Sequence, residues 1–145
     1  MRMTPWTIPA LAMAALLLAA CSRTSPEQAL RRDIDALQAA VETRDVAAVS
    51  DGIAQDFIGP DGMDRDAARR LAQLVFLRNR DVGVTRGPLD IAMREGGATV
   101  RFTAAMTSGS GALLPQSGQV YDVRTDWRQV GDEWELVAAE WSEKL

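Results

Sequence analysis

The apolar residues of this 145-residue chain change their period once, near Arg80, and that change constrains the architecture more than any other feature. Upstream, apolar positions recur every three to four residues, the spacing that lays one stripe along an α-helix. Downstream they alternate, the spacing that turns every second side chain to one face of a strand. A single-domain chain that spends its first half on helices and its second on strands is α+β, with helices packed on one face of a curved antiparallel sheet.

The helix signals are well marked. Ser25 is placed to cap a first helix, with Pro26 at its first position and Gln28 three residues after the cap. Leu30, Ile34, Leu37 and Val41 form its buried face, and it ends near Thr43. Asp45 caps a second helix running through Ala54, with Val46, Val49 and Ile53 inward, and Phe57-Ile58 reads as a short strand. Gly59-Pro60-Asp61-Gly62 is a turn. Asp64 caps a third helix to about Arg78 that buries Ala67, Ala68, Leu71, Leu74 and Val75.

Two hairpins follow. With Gly96-Gly97 as a two-residue turn, Met93 meets Val100, Ile91 meets Phe102 and Leu89 meets Ala104, so that every apolar residue shares a face. Pro88 restricts the preceding stretch, Val82 to Thr85, to an edge or bulged strand. With Gly131-Asp132 as the second turn, Trp127 meets Leu136, Thr125 meets Ala138 and Val123 meets Glu140, while Arg128 pairs with Glu135 outside. Between the hairpins, Thr107 to Gly118 forms a loop with an apolar centre at Ala112-Leu113-Leu114-Pro115.

Composition removes much chemistry. Histidine is absent and Cys21 is the sole cysteine, which excludes serine-histidine and cysteine-histidine catalysis, histidine-ligated zinc and cysteine-rich metal centres. No metal and no cofactor is expected. The net charge of −4 repels phosphate backbones, so nucleic acid is not an expected partner.

The N-terminus has its own character. Arg2 precedes a run of 13 apolar residues from Ile8 to Ala20, too short to span a bilayer and closed by small residues, which is the build of a secretory signal. Leu18-Ala19-Ala20-Cys21 resembles the lipobox of bacterial lipoproteins. The resemblance implies cleavage before Cys21, acylation of Cys21 and anchorage in the membrane through its acyl chains, which also accounts for a cysteine without a disulfide partner. In that family an Asp after the cysteine favours inner-membrane retention, so Ser22 implies an outer-membrane lipoprotein facing the periplasm, in a Gram-negative envelope. The expected organisation is a signal peptide at 1–20, a lipidated tether at 21–25 and one domain at 26–145.

The domain itself resembles the nuclear transport factor 2-like superfamily, whose members share a cone of three helices on a curved sheet, related to the cystatin-like fold. The residues that carry the likeness are Arg44-Asp45-Val46-Ala47-Ala48-Val49 opening the second helix, Asp56-Phe57 after it, and Trp127-Arg128 with Trp134-Glu135-Leu136-Val137 in the last hairpin. The superfamily contains ketosteroid isomerase, polyketide cyclases, dehydratases and non-catalytic binding modules, so the likeness implies the fold and leaves the function open. Asp56 matches the isomerase's general base in a single position, Asp56-Phe57-Ile58-Gly59 standing where the family has Asp-Pro-Val-Gly. The expected first helix has no tyrosine to serve as oxyanion donor, and the cyclases' histidine is missing.

Asp56 therefore stands either as a general base or as a carboxylate bonded to backbone at the cone mouth. Glu140 is the second candidate. The hairpin register puts it inward, where an isolated carboxylate is costly, unless curvature or a bulge returns it to solvent. Trp127, Trp134 and Trp141 read as core and sheet packing. The expected pocket comprises Asp56, Phe57, Tyr121, Val123, Trp127 and Glu140. Its expected occupant is a small apolar ligand or an envelope protein, with a homodimer through the sheet as a further candidate association. The alternative is an isomerase- or dehydratase-like enzyme using Asp56 or Glu140 as base.

Overall fold

A computed structural model of the protein describes residues 23–109 and 119–144. The expected signal peptide, the acylated Cys21 and most of the loop from Thr107 to Gly118 lie outside the described residues. Ser25, in extended conformation, accepts at Oγ from the Gln28 amide at 3.2 Å, while the Gln28 side chain accepts from the Ser25 amide at 3.1 Å. This reciprocal cap starts α1 (Pro26–Glu42). Asp45 and Asp64 cap α2 (Val46–Asp51) and α3 (Arg65–Arg78) by accepting from Ala48 and Ala67 amides at 3.0 and 2.7 Å. Each such cap is worth ~1 kcal/mol.

The six strands are β1 (Ile53–Ile58), β2 (Asp81–Arg86), β3 (Asp90–Arg94), β4 (Gly97–Gly109), β5 (Gln119–Val130) and β6 (Glu133–Glu143). They form one sheet in the order β1-β6-β5-β4-β2, with β3 also on β4. β2 and β3 share the same edge of β4, interrupted at Gly87-Pro88 where proline has no amide hydrogen to give the ladder. The free edge of β2 is met by α1. Gln38 Nε2 donates to the Val84 carbonyl at 3.1 Å, and the Val84 amide donates to Glu42 Oε1 at 3.3 Å. An edge occupied this way is closed to another strand.

The expected α+β class and the cone of helices on a curved sheet hold, and five details differ. First, β1 joins β6 in parallel, so the sheet is antiparallel except at that margin. Second, α2 stops at Asp51 rather than Ala54. Gly52 caps it, in a space where a Cβ would lie 3.2 Å from Leu37 Cδ1, and Ile53 already belongs to β1. Third, α3 turns Phe76, Ala68, Ala72 and Val75 to the core, while Leu71 and Leu74 stay exposed. Apolar residues surround much of this helix, so its sequence alone does not choose the buried face.

Fourth, the first hairpin turns at Glu95-Gly96, pairing Arg94 with Gly97, Met93 with Ala98 and Ile91 with Val100. The turn needs one positive φ, which Gly96 supplies at 68°. Gly97 instead opens β4 beneath the Arg94 side chain, where a Cβ would lie 2.9 Å from Nε. The partners move by two residues, so every residue keeps its expected face. Fifth, the second hairpin turns at Gly131-Asp132 and pairs Trp127 with Leu136 as expected, but the register then shifts between Asp126 and Trp127. Thr125 meets Ala139, Val123 meets Trp141 and Arg124 meets Glu140.

The core gathers at one end of the cone. Leu30 and Ile34 of α1 pack with Ala98, Val100, Trp127 and Trp134 of the sheet, and Leu30 and Val100 are wholly buried. Two indoles are anchored by polar bonds: Trp134 Nε1 donates to the Pro26 carbonyl at 3.1 Å and Trp127 Nε1 to Thr125 Oγ1 at 2.9 Å. The N-terminus of α1 is thereby fixed to the β5–β6 end of the sheet. Arg32 and Asp33 add to this by bonding the Asp132 carbonyl and the Trp134 amide.

Candidate functional site

At the other end of the cone the helices and sheet diverge around a cavity of about 420 Å³. Leu37 and Val41 of α1, Val49 of α2, Ala68, Leu71, Ala72 and Val75 of α3 and Phe57 of β1 form one wall. Ala104, Met106, Tyr121, Val123, Leu136, Ala139 and Trp141 of the sheet form the other. Four of the lining positions are alanine, which leaves room between the larger side chains. Leu71, Met106 and Trp141 remain partly exposed and define the rim.

Among the described residues lining this cavity, the Tyr121 hydroxyl and the Trp141 indole N–H are the only side-chain polar groups. The hydroxyl donates to the side-chain carbonyl of Gln119, two residues back on the same strand. A concave site with apolar walls and few polar handles is the usual character of a small-molecule pocket, and its volume lies in the range of ~300–1,000 Å³ typical of such sites.

Of the expected pocket residues, Phe57, Tyr121 and Val123 are brought together here, and three are not. Trp127 lies in the filled end of the cone, 3% exposed. Asp56 precedes the inward Phe57 and so points from the opposite face of β1. Its carboxylate accepts two bonds from Arg128, Nη1 to Oδ2 at 2.9 Å and Nη2 to Oδ1 at 2.8 Å, and Arg128 Nε also reaches Glu135 at 2.9 Å. The Arg128 bonds hold the Asp56 carboxyl below its ordinary value of 3.8, helped by a backbone bond, with the small burial of the group acting the other way. A carboxylate so paired is a poor proton acceptor.

Glu140 is exposed and stands opposite Arg124 on the outer face of the sheet. The register shift in β6 decides this: with one additional residue before Ala139, the inward place at the sheet end falls to Trp141. The two candidate bases thus lie outside the cavity on the outer sheet face.

Sequence reasoning missed two features. Trp141 enters the cavity only through the register shift. Arg65, at the start of α3, donates from Nη2 to the Ser50 carbonyl at 2.8 Å and from Nε to the Ser50 and Ile53 carbonyls at 3.2 and 3.0 Å, holding the α2–β1 junction against α3. Nothing in local spacing signals a long-range clamp of this kind.

No family model and no curated protein matches the chain in sequence. Solved structures do. A candidate dehydratase of the nuclear transport factor 2-like family from Streptomyces avermitilis superposes with a TM-score of 0.73 at 17% identity, over 83% of this chain and 97% of its own. The fold is the nuclear transport factor 2-like, or cystatin-like, one. A candidate scytalone dehydratase from Novosphingobium aromaticivorans agrees at a TM-score of 0.68 and 12% identity, over 92% of this chain and 89% of its own. An uncharacterised protein with a cystatin-like fold from Caulobacter vibrioides also gives 0.68 at 12% identity, over 83% of this chain and 90% of its own. A Bdellovibrio bacteriovorus protein matches 81% of this chain with a TM-score of 0.72 at 14% identity, the match spanning 41% of that protein's own length. At these identities the nuclear transport factor 2-like likeness carries the fold alone.

Proposed function

We propose that the protein is a lipid-anchored, periplasm-facing binding module of the outer membrane that holds a small apolar ligand in its cone without transforming it. The observation that carries the binding role is the apolar cavity, from whose described walls Asp56 and Glu140 both stand apart. Proton abstraction needs a base within hydrogen-bond reach of the substrate. The pairing of Asp56 with Arg128 and the outward Glu140 speak against the dehydratase-like alternative, in which either would serve as base.

The anchor rests on Leu18-Ala19-Ala20-Cys21 and gains a geometric consequence from the fold. α1 begins at the filled end of the cone, so a tether from Cys21 attaches there. Tyr121, at the cavity end of β5, is nine residues from Val130 at the turn end, roughly 30 Å along an extended strand. Four or five tether residues reach roughly 17 Å, so the filled end faces the bilayer and the cavity opens into the periplasm.

Two measurements test this reading. Cys21→Ser is expected to abolish membrane partitioning or leave the precursor uncleaved; a variant processed at the same bond and still membrane-bound overturns the anchor. Mass spectrometry of the detergent-extracted native protein is expected to find a retained apolar small molecule. Isomerase or dehydratase turnover that Asp56→Asn or Glu140→Gln lowers by ~100-fold, the scale of a lost general base, overturns the non-catalytic role.

A further inference from the structure

Building on the apolar-ligand reading, we infer that the cone discriminates by charge: it takes uncharged amphiphiles such as long-chain alcohols and neutral esters, and rejects the carboxylate of the same chain length. Seven elements contribute to the cavity wall, and none of the described lining side chains is cationic. Of the two polar handles, both neutral, the Tyr121 hydroxyl has already committed its hydrogen to Gln119 and offers only lone pairs, and the Trp141 indole offers a single N–H at the rim. An alcohol can donate to such an oxygen. A carboxylate finds at most the neutral Trp141 indole N–H and no cation to offset its charge, so its desolvation is left uncompensated.

The rim strengthens the selection. Glu143 stands directly opposite Tyr121 across the β5–β6 ladder, so an anionic head group held at the tyrosine meets a like charge. The next residue, Lys144, is drawn to Asp122, Nζ lying 3.7 Å from Oδ1. Leu71 and Met106 supply only apolar surface to the rim. An acid of the same chain would have to enter protonated, and burial without a partner raises a carboxyl pKa by up to about 3–5 units.

The test uses the full chain carrying Cys21→Ser, so that no acyl anchor competes, with Nile red as a neutral reporter displaced by decanol or by decanoate at about pH 8, well above the ordinary carboxyl range of roughly 4 to 5. Decanol is expected to displace the reporter at a concentration at least ~100-fold lower than decanoate. Leu71→Arg, which places a cation on the exposed rim, is expected to narrow that gap to about tenfold by strengthening decanoate alone. Ala72→Trp, or Ala68→Phe should the first not fold, fills the cavity and is expected to abolish displacement while the circular dichroism spectrum stays native.

Decanoate binding as tightly as decanol overturns the charge selection and leaves the apolar-ligand reading standing. Failure of both to displace, or displacement that persists in a folded filling variant, overturns both. A Leu71→Arg variant that leaves decanoate unchanged overturns the placement of the head group at the rim.

Discussion

The two ends of α1 meet opposite fates. Leu30 and Ile34 are 0% and 5% exposed, packed against Trp127 and Trp134, while Leu37 and Val41, one and two turns farther along the same stripe, border an open cavity. The helix is equally apolar at both ends, so the difference is made by what stands opposite. At the filled end it is two indoles, each tied by its ring N–H. At the open end the lining mixes larger side chains with Ala68, Ala72, Ala104 and Ala139. Stability and binding are thus divided along one helix: residues that fill space specify the fold, and residues that leave space create the site.

Truncation breaks this comparison most sharply. Leu30→Ala should cost about 3–5 kcal/mol, because a wholly enclosed side chain leaves a cavity that rigid indoles cannot close. Leu37→Ala should cost about 1–2 kcal/mol, since it enlarges a space that already exists. Urea midpoints with unchanged slope measure both. Equal costs at the two positions would mean that the open end is packed.

Enlargement should give the reverse pattern. Ala98→Leu introduces three carbons where the native residue is 0% exposed and should destabilise by about 1–3 kcal/mol. Ala72→Leu extends into the cavity and should be neutral or stabilising by up to ~1 kcal/mol, while weakening ligand retention. Between these effects lies Arg65→Met, which keeps the aliphatic stem but leaves the Ser50 and Ile53 carbonyls without their donor, at about 1–3 kcal/mol. Faster amide exchange over α2 and the start of β1 in that variant would locate the loss at the junction.

The filled end was largely legible in the sequence and the open end was not, for a physical reason. A capping box, a Gly-Asp turn and alternation of apolar residues are local codes. They placed Ser25, Gly131, Leu30 and the Trp127–Leu136 pair correctly, and they tolerated a first-hairpin turn displaced by one residue because the faces repeat every two. The cavity is assembled from residues of seven elements, which no single window of sequence displays. The site carboxylates failed for a related reason. In β6 the series Trp134, Leu136, Ala138, Glu140 alternates without a break, but Ala138 and Ala139 suit either face, so a shift there costs little and reverses every residue beyond it. Asp56 was misplaced because its candidacy rested on one matched position of the family pattern, whereas the inward Phe57 turns Asp56 to the opposite face of β1, toward Arg128.

The smallest expected effect falls on the outer face, where Asp56 and Arg128 pair across the sheet from the core. Because the Arg128 bonds lower the native carboxyl below 3.8, the unfolded chain binds the proton more readily than the folded one in acid. The pair's contribution is therefore full above about pH 4 and is lost as the pH falls through the depressed native value. Asp56→Asn should leave the urea midpoint near neutrality almost unchanged, as expected of an exposed ion pair, and should make the loss of stability below pH ~4 less steep. Carboxyl-carbon NMR should find Asp56 titrating below 3.8 in the native protein, with the midpoint returning toward that value in Arg128→Gln. A base buried in the apolar cone would show the opposite sign, a raised midpoint and a stability that falls as the pH rises through it, because desolvation penalises the charged form. A single titration curve thus distinguishes a carboxylate that ties the sheet's outer face from one that serves the cavity.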